Sequence, residues 1–118
     1  MYRSARGDRV PKSERTKGHK RTKGHNAERE VAKIFVAHGW DGAKRSGEAG
    51  QLDGDLDHTE PFYCEVRRRE TLALPAWIAE VEGECPPHLI PLLIYRRSRM
   101  PWQANLPLVK LLQLINER

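Results

Sequence analysis

Asp55, Glu65 and Arg67 form an Asp-x9-Glu-x-Arg pattern in which two carboxylates and a permanent cation fall close together along the chain. Between them lies Asp57-His58-Thr59-Glu60-Pro61, which has turn chemistry. If the flanking segments pair as a hairpin, Asp55 faces the Glu65 region. Two converging carboxylates make an oxygen-rich site for a hard divalent cation such as Mg2+. A cation so held polarises a scissile phosphate and lowers the pKa of a bound water. Arg67 projects on the same side of its strand as Glu65 and can reach a phosphate oxygen. Alone, the spacing is generic.

The segments around these residues carry recognisable periodicities. Phe62, Cys64 and Val66 alternate with Tyr63, Glu65 and Arg67, which predicts a half-buried strand. Leu52 to Leu56 reads as a short strand interrupted by Gly54, and Trp40 to Arg45 as another, followed by the glycine-punctuated Ser46-Gly47-Glu48-Ala49-Gly50. Upstream, Ala27, Val31, Ile34, Phe35 and His38 recur at helical spacing, with Gly39 placed as a C′ residue. This predicts a helix over residues 26–38. Glu28 and Glu30 would lie in its first turn, where the macrodipole favours anions, and that suffices to explain Glu30.

Downstream, Leu74 to Glu84 reads as a helix with Pro75 in its first turn and Trp77, Ile78 and Val81 inward. Pro86-Pro87 ends it. Leu89 to Tyr95 is a strongly apolar run expected to be a central strand, although Pro91 argues for an edge position or a bulge. Trp102 to Leu106 suggests a last strand, and Leu108, Leu111, Leu112 and Ile115 an amphipathic C-terminal helix. The resulting order, α-β-β-β-α-β-β-α, predicts a mixed α/β layer structure.

With 118 residues and a mean hydropathy of -0.73, the chain has room for one domain with a modest core, which a partner subunit would help to stabilise. Its net charge of +5 is uneven. Residues 1–25 carry nine Lys and Arg against Asp8 and Glu14, while the remainder is slightly acidic. The expected organisation is a basic flexible tail, 1–25, and a folded domain, 26–118. The tail contains Arg15-Thr16-Lys17-Gly18-His19 repeated as Arg21-Thr22-Lys23-Gly24-His25. Such a segment suits a polyanion, because each cation that neutralises a phosphate releases condensed counterions. His19 and His25 are expected to add hydrogen bonds to this grip.

Arg67-Arg68-Arg69 ends the alternating strand. Alternation turns Arg68 away from Glu65 and leaves Arg69 at the site's rim, the better phosphate contact of the two. Arg96, Arg97 and Arg99 form a second basic cluster. Trp77 and Trp102 are expected in the core or at a dimer contact. Cys64 and Cys85 are too few and too unpatterned for a disulfide framework or a zinc site, and Cys64 is expected to be a buried thiol. No apolar stretch has the length of a signal peptide or a membrane span, so an intracellular protein with no membrane partner is expected.

The string Lys23-Gly24-His25-Asn26-Ala27-Glu28-Arg29-Glu30-Val31 resembles the opening of the archaeal and phage Holliday-junction resolvases of the PD-(D/E)XK nuclease superfamily, whose first helix begins with Gly-x-x-x-Glu-Arg-Glu. The likeness continues through Gly39-Trp40, Arg45-Ser46-Gly47, Gly54-Asp55-Leu56 and Tyr63-Cys64-Glu65-Val66-Arg67, covering roughly residues 23–70 in register. It is looser from Trp77 to Leu106. The resemblance implies a restriction-endonuclease-like fold, a central mixed β-sheet flanked by helices. It also implies a homodimer that resolves four-way DNA junctions by paired symmetric nicks, since a two-fold dimer matches the junction's pseudo-symmetry.

By the same resemblance Glu28, Asp55 and Glu65 would bind Mg2+, with Mn2+ able to substitute, and no small-molecule cofactor is implied. Ser46 would stand near the cleavage site. Asp53 competes with Asp55 for the first acidic position, and Asp55 is preferred because the apolar Leu56 follows it, as in the family. Expected DNA contacts are Lys17, Lys20, Arg21, Lys23, Arg29, Arg45 and Arg69. Arg67 stands where the family usually has lysine. A guanidinium does not deprotonate near neutral pH, so Arg67 would orient water or stabilise the transition state as a fixed cation. Two other readings stay open: a less selective nuclease of this fold, and a non-catalytic DNA-binding accessory protein. A tail directed at RNA is a third. The localisation implied is with the DNA, in a prokaryotic or phage-infected cell.

Overall fold

The computed structural model describes residues 14–47 and 54–117, and for 14–23 the backbone alone. In chain order the described elements are α1 (Glu14–Ala37), β1 (Lys44–Arg45), β2 (Leu56–Asp57), β3 (Phe62–Arg68), α2 (Leu74–Glu84), β4 (Ile90–Arg96), β5 (Gln103–Asn105) and α3 (Leu108–Asn116). The α-β-β-β-α-β-β-α order expected from periodicity is the order observed.

Alternation along β3 and β4 builds the layers. The two strands run parallel, from Phe62 opposite Ile90 to Arg68 opposite Arg96, and β5 adds antiparallel to the far side of β4. Cys64, Val66, Leu92 and Ile94 turn one way, onto Ala27, Val31 and Ala32 of α1 and onto Leu56. Tyr63 and Leu93 turn the other way, onto Val81 of α2, with Trp77, Ile78 and Leu89 packed around them. A parallel pair needs a crossover, and α2 supplies it while covering the second face. Leu56 and Leu93 are both 0 % exposed, each contributing about 2–3 kcal/mol of burial. A separate antiparallel pair, β1 with β2, lies beside this sheet. The architecture is therefore mixed α/β, with α1 and α2 on opposite faces of a three-stranded sheet.

Four sequence expectations need correction. The first helix begins at Glu14, not at residue 26, so residues 14–25 of the expected flexible tail are helical. No proline falls between Pro11 and Pro61, and Lys, Arg and Glu are good helix formers, so a helix anchored by its packed half extends through Gly18 and Gly24 at a cost of about 1 kcal/mol each. Glu28 and Glu30 consequently sit deep inside α1, beyond reach of its N-terminal dipole. The first strand is shorter than expected, Lys44–Arg45 in place of Trp40–Arg45, and the second runs Leu56–Asp57 where Leu52 to Leu56 was expected, residues 52 and 53 lying outside the described residues. Pro91 lies in a central strand without a bulge. Ile90 donates its N–H toward the β3 side, to Pro61 O at 2.8 Å, so alternation turns position 91 the other way, where β5 starts pairing only at Leu93.

The end of α1 follows its sequence signal. Gly39 adopts φ +112° and donates to Val36 O, while Trp40 donates to Phe35 O, a Schellman termination. The Trp40 ring packs edge-on against Phe35 at 5.4 Å, and its Nε1 donates to Glu60 O at 2.7 Å. The C-terminal α3 has no buried residue, and Leu108, Leu112 and Ile115 are more than half exposed. Among the described residues no helix is long and apolar enough to cross a membrane.

Candidate active site

The outer edge of β3 is where the expected site assembles, but not through a hairpin. Gly54 and Cys64 form a single parallel bridge. Asp55 N donates to Cys64 O at 2.8 Å, as in a parallel ladder. The next ladder bond would run from Val66 N to the Asp55 carbonyl. Instead Val66 N donates to the carboxylate, Oδ2, at 2.8 Å, and the carbonyl accepts from Ser46 N at 2.9 Å. The side chain of Asp55 thus replaces a backbone acceptor, which fixes its carboxylate against the sheet edge. Gly54 makes this possible. Its φ is +83°, and a Cβ there would lie 2.5 Å from Cys64 O.

Glu65, one residue on from that bridge, pairs with Arg67 NH1 at 2.8 Å, and the same nitrogen lies 3.9 Å from Asp55 Oδ2. The other terminal nitrogen, NH2, donates to Glu80 Oε1 at 2.9 Å. Glu80 comes from α2. From the opposite layer α1 supplies Glu28, whose Oε1 lies 3.2 Å from Arg45 Nε. That contact is an ion pair, and among the described residues the buried Nε meets no acceptor aligned for a hydrogen bond. Arg45 NH2 donates to His25 Nε2 at 2.9 Å, which puts the proton of a neutral His25 on Nδ1.

Among the described side chains, four carboxylates, Glu28, Asp55, Glu65 and Glu80, thus gather with two guanidiniums, Arg45 and Arg67, a formal excess of two negative charges. The electrostatics follow. Burial first, then the repulsion of Glu65, raises Glu28 to about 7 against the relief given by Arg45. Burial and Glu28 raise Asp55 to about 6. Burial and Asp55 raise Glu65 to about 7. Burial works against the Arg67 charge, but Glu65, Asp55 and Glu80 outweigh it and hold its proton more firmly. Arg67 cannot serve as a base here.

This donor set suits a hard divalent cation, whose charge would match the excess. Among the described residues, however, no three His, Cys, Asp or Glu side chains stand arranged around one point as a cation shell. The Arg67 guanidinium pairs with Glu65 and lies 3.9 Å from Asp55, the two carboxylates nearest to it on this edge. The residues fit a cation in charge and chemistry, provided Arg67 gives way.

Ser46 is buried beside Asp55, and its Oγ finds no partner among the described residues. Arg45 turns inward to Glu28 and His25 in place of an open surface. Arg29 is exposed and donates to Asn26. Arg69 is exposed just past β3, its pKa lowered by partial burial and then by Arg67, which puts it at the site's rim. Of the second basic cluster, Arg96 folds back over Trp102 at 4.9 Å and pairs with Glu30, whereas Arg97 and Arg99 are exposed. Lys17, Lys20, Arg21 and Lys23 lie on α1, with only their backbone described, and Asp53 lies outside the described residues.

Glu80 was missed by sequence reading. It precedes the inward Val81 on α2, at the border of the apolar face, and that border position was its only signal. His25 was read only as part of the tail. No family model, no curated protein and no solved structure matches the chain.

Proposed function

We propose that the chain is a divalent-metal-dependent endonuclease of restriction-endonuclease-like fold that acts as a homodimer on branched DNA, nicking four-way junctions. The observation that carries this reading is the charge imbalance at the β3 edge. Among the described side chains, carboxylates from both layers and from the bridged segment outnumber the cations they converge on. Gathering like charge in a partly buried place costs stability, and a divalent cation of the kind used in metal-assisted phosphodiester cleavage would offset that cost.

Asp55 and Glu65, with Glu28 alongside, would hold Mg2+ or Mn2+. When bound, the cation supplies Lewis-acid polarisation of the scissile phosphate. Val66 N keeps the Asp55 carboxylate pointed into the site. Arg67, always protonated and anchored by Glu80, sets a positive charge where a phosphate oxygen gains negative charge. Arg69 at the rim and the cationic first half of α1 bring the backbone of the DNA to this edge. The exposed apolar stripe of α3 offers a second copy a surface to cover, in keeping with a dimer.

The test is a parallel panel of labelled four-way junction, fork and linear duplex with Mg2+. Selective nicking of the junction at symmetric positions is expected. Equal rates on all three would leave a less selective nuclease. One observation favours the non-catalytic DNA-binding reading: Arg67 already satisfies the carboxylates at 2.8 and 2.9 Å. A binder would bind the junction and show no cleavage at any Mg2+ or Mn2+ concentration.

A further inference from the structure

Arg67 is held at two ends that differ in kind. NH1 meets Glu65, whose side chain is 12 % exposed and lies among the candidate ligands, whereas NH2 meets Glu80, whose side chain is 39 % exposed. Glu80 meets the terminal nitrogen that Glu65 and Asp55 do not, and it reaches water. It is therefore poorly placed as a buried ligand and well placed as an anchor. Its position is fixed by Val81, the next residue, which is 2 % exposed in the core under α2. Without such an anchor, a guanidinium displaced from Glu65 would keep only the more distant Asp55, at 3.9 Å, as a paired counter-charge in a partly buried place. It would then cling to Glu65 and oppose any cation arriving there.

We propose that Glu80 is a positioning residue that lets Arg67 and a divalent cation share the site: it tethers NH2 so that NH1 releases Glu65 and Asp55 without Arg67 leaving. This rests on the functional reading above, and adds to it how a carboxylate pair engaged by arginine becomes free to take metal. Glu80 acts through Arg67 and touches neither metal nor substrate.

The experiment measures Mn2+ binding by calorimetry to the full chain without DNA, in the unaltered protein, Glu80→Gln, Arg67→Gln and the double variant. Glu80→Gln is expected to weaken Mn2+ binding about tenfold, the usual scale for a group that orients a ligand shell. Arg67→Gln is expected to tighten it. In the Arg67→Gln background, adding Glu80→Gln should change affinity by less than about twofold, the scatter of independent effects. Glu80→Asp keeps the charge and shortens the reach, and is expected to lose affinity only where Arg67 is present. The same tenfold loss in both backgrounds would mean that Glu80 acts through its charge alone, and would overturn the tether. So would a Glu80→Asp chain that binds Mn2+ as tightly as the unaltered one. Absence of Mn2+ binding by the unaltered chain would overturn the functional reading and the tether together.

Discussion

The crowded carboxylates make a specific demand on the dependence of stability on pH. Glu28, Asp55 and Glu65 have folded-state values raised to about 7, about 6 and about 7, from 4.5, 3.8 and 4.5. For an acid raised in this way the folded chain holds protons that the unfolded chain has already released. The stabilisation is full below about pH 4 and is lost as pH climbs through 6 and 7, opposite in sign to an ordinary ion-paired carboxylate. Each pK unit corresponds to about 1.4 kcal/mol, so a shift like that of Glu65 sets a scale of about 3 kcal/mol. Its side chain is only 12 % exposed, so solvent screening removes little of this. In a chain of this size that corresponds to a Tm roughly 10 °C lower at pH 8 than at pH 5. On the proposed reading Mg2+ takes the place of the protons: roughly 10 mM over a millimolar Kd stabilises by about 1.4 kcal/mol, and should recover about half of the loss at pH 8 and little at pH 5. Thermal unfolding at both pH values, with and without Mg2+, reads this directly, and Glu65→Gln should flatten the profile. A Tm that is flat from pH 5 to 8, or a Mg2+ effect equal at both, would refute the reasoning.

Gly54→Ala should cost about 1–3 kcal/mol in urea unfolding and abolish Mn2+ binding, because its Cβ would lie 2.5 Å from Cys64 O and push Asp55 off the sheet edge; unchanged Mn2+ affinity would contradict this placement. Leu93→Ala, at a position 0 % exposed between the sheet and α2, should cost about 2–5 kcal/mol by the same assay. Replacing Lys17, Lys20, Arg21 and Lys23 together with Gln should lower the slope of log K against log salt for duplex DNA by up to about 3.6, at roughly 0.9 per phosphate contact, with no change in the Tm of the core. An unchanged slope would remove α1 from the DNA interface.

The fold was legible wherever one period dominated. The alternation of Phe62 to Arg67 and the Gly39-Trp40 helix stop both appear as expected, because each depends on residues adjacent in sequence. The start of α1 was not legible, since a basic stretch with two glycines has no apolar face to announce a helix. Nor was the mode of Asp55–Glu65 approach. A hairpin and a bridged edge share the same turn residues, and only the capture of Val66 N by the Asp55 carboxylate distinguishes them. Within the site, Glu65 and Arg67 were legible from strand spacing alone, whereas Glu28 needed the likeness at the helix opening. Arg45 was expected as a DNA contact; Glu28 and His25 turn it inward, and neither lies near it in sequence. Glu80 carried no local pattern, since its role comes from a partner thirteen residues away on another element.

A metal-dependent nuclease site at the Asp55–Glu65 edge, as proposed, needs the charge of both carboxylates. Asp55→Asn keeps an oxygen for the Val66 N–H, and so the local fold, while removing the charge that a cation needs. The most direct measurement is therefore Mg2+-dependent nicking of a labelled four-way junction by the unaltered chain and by Asp55→Asn, with junction binding followed in parallel. Symmetric nicks by the unaltered chain are expected, and binding without cleavage by the variant. Undiminished Mg2+-dependent nicking by Asp55→Asn would contradict the proposal.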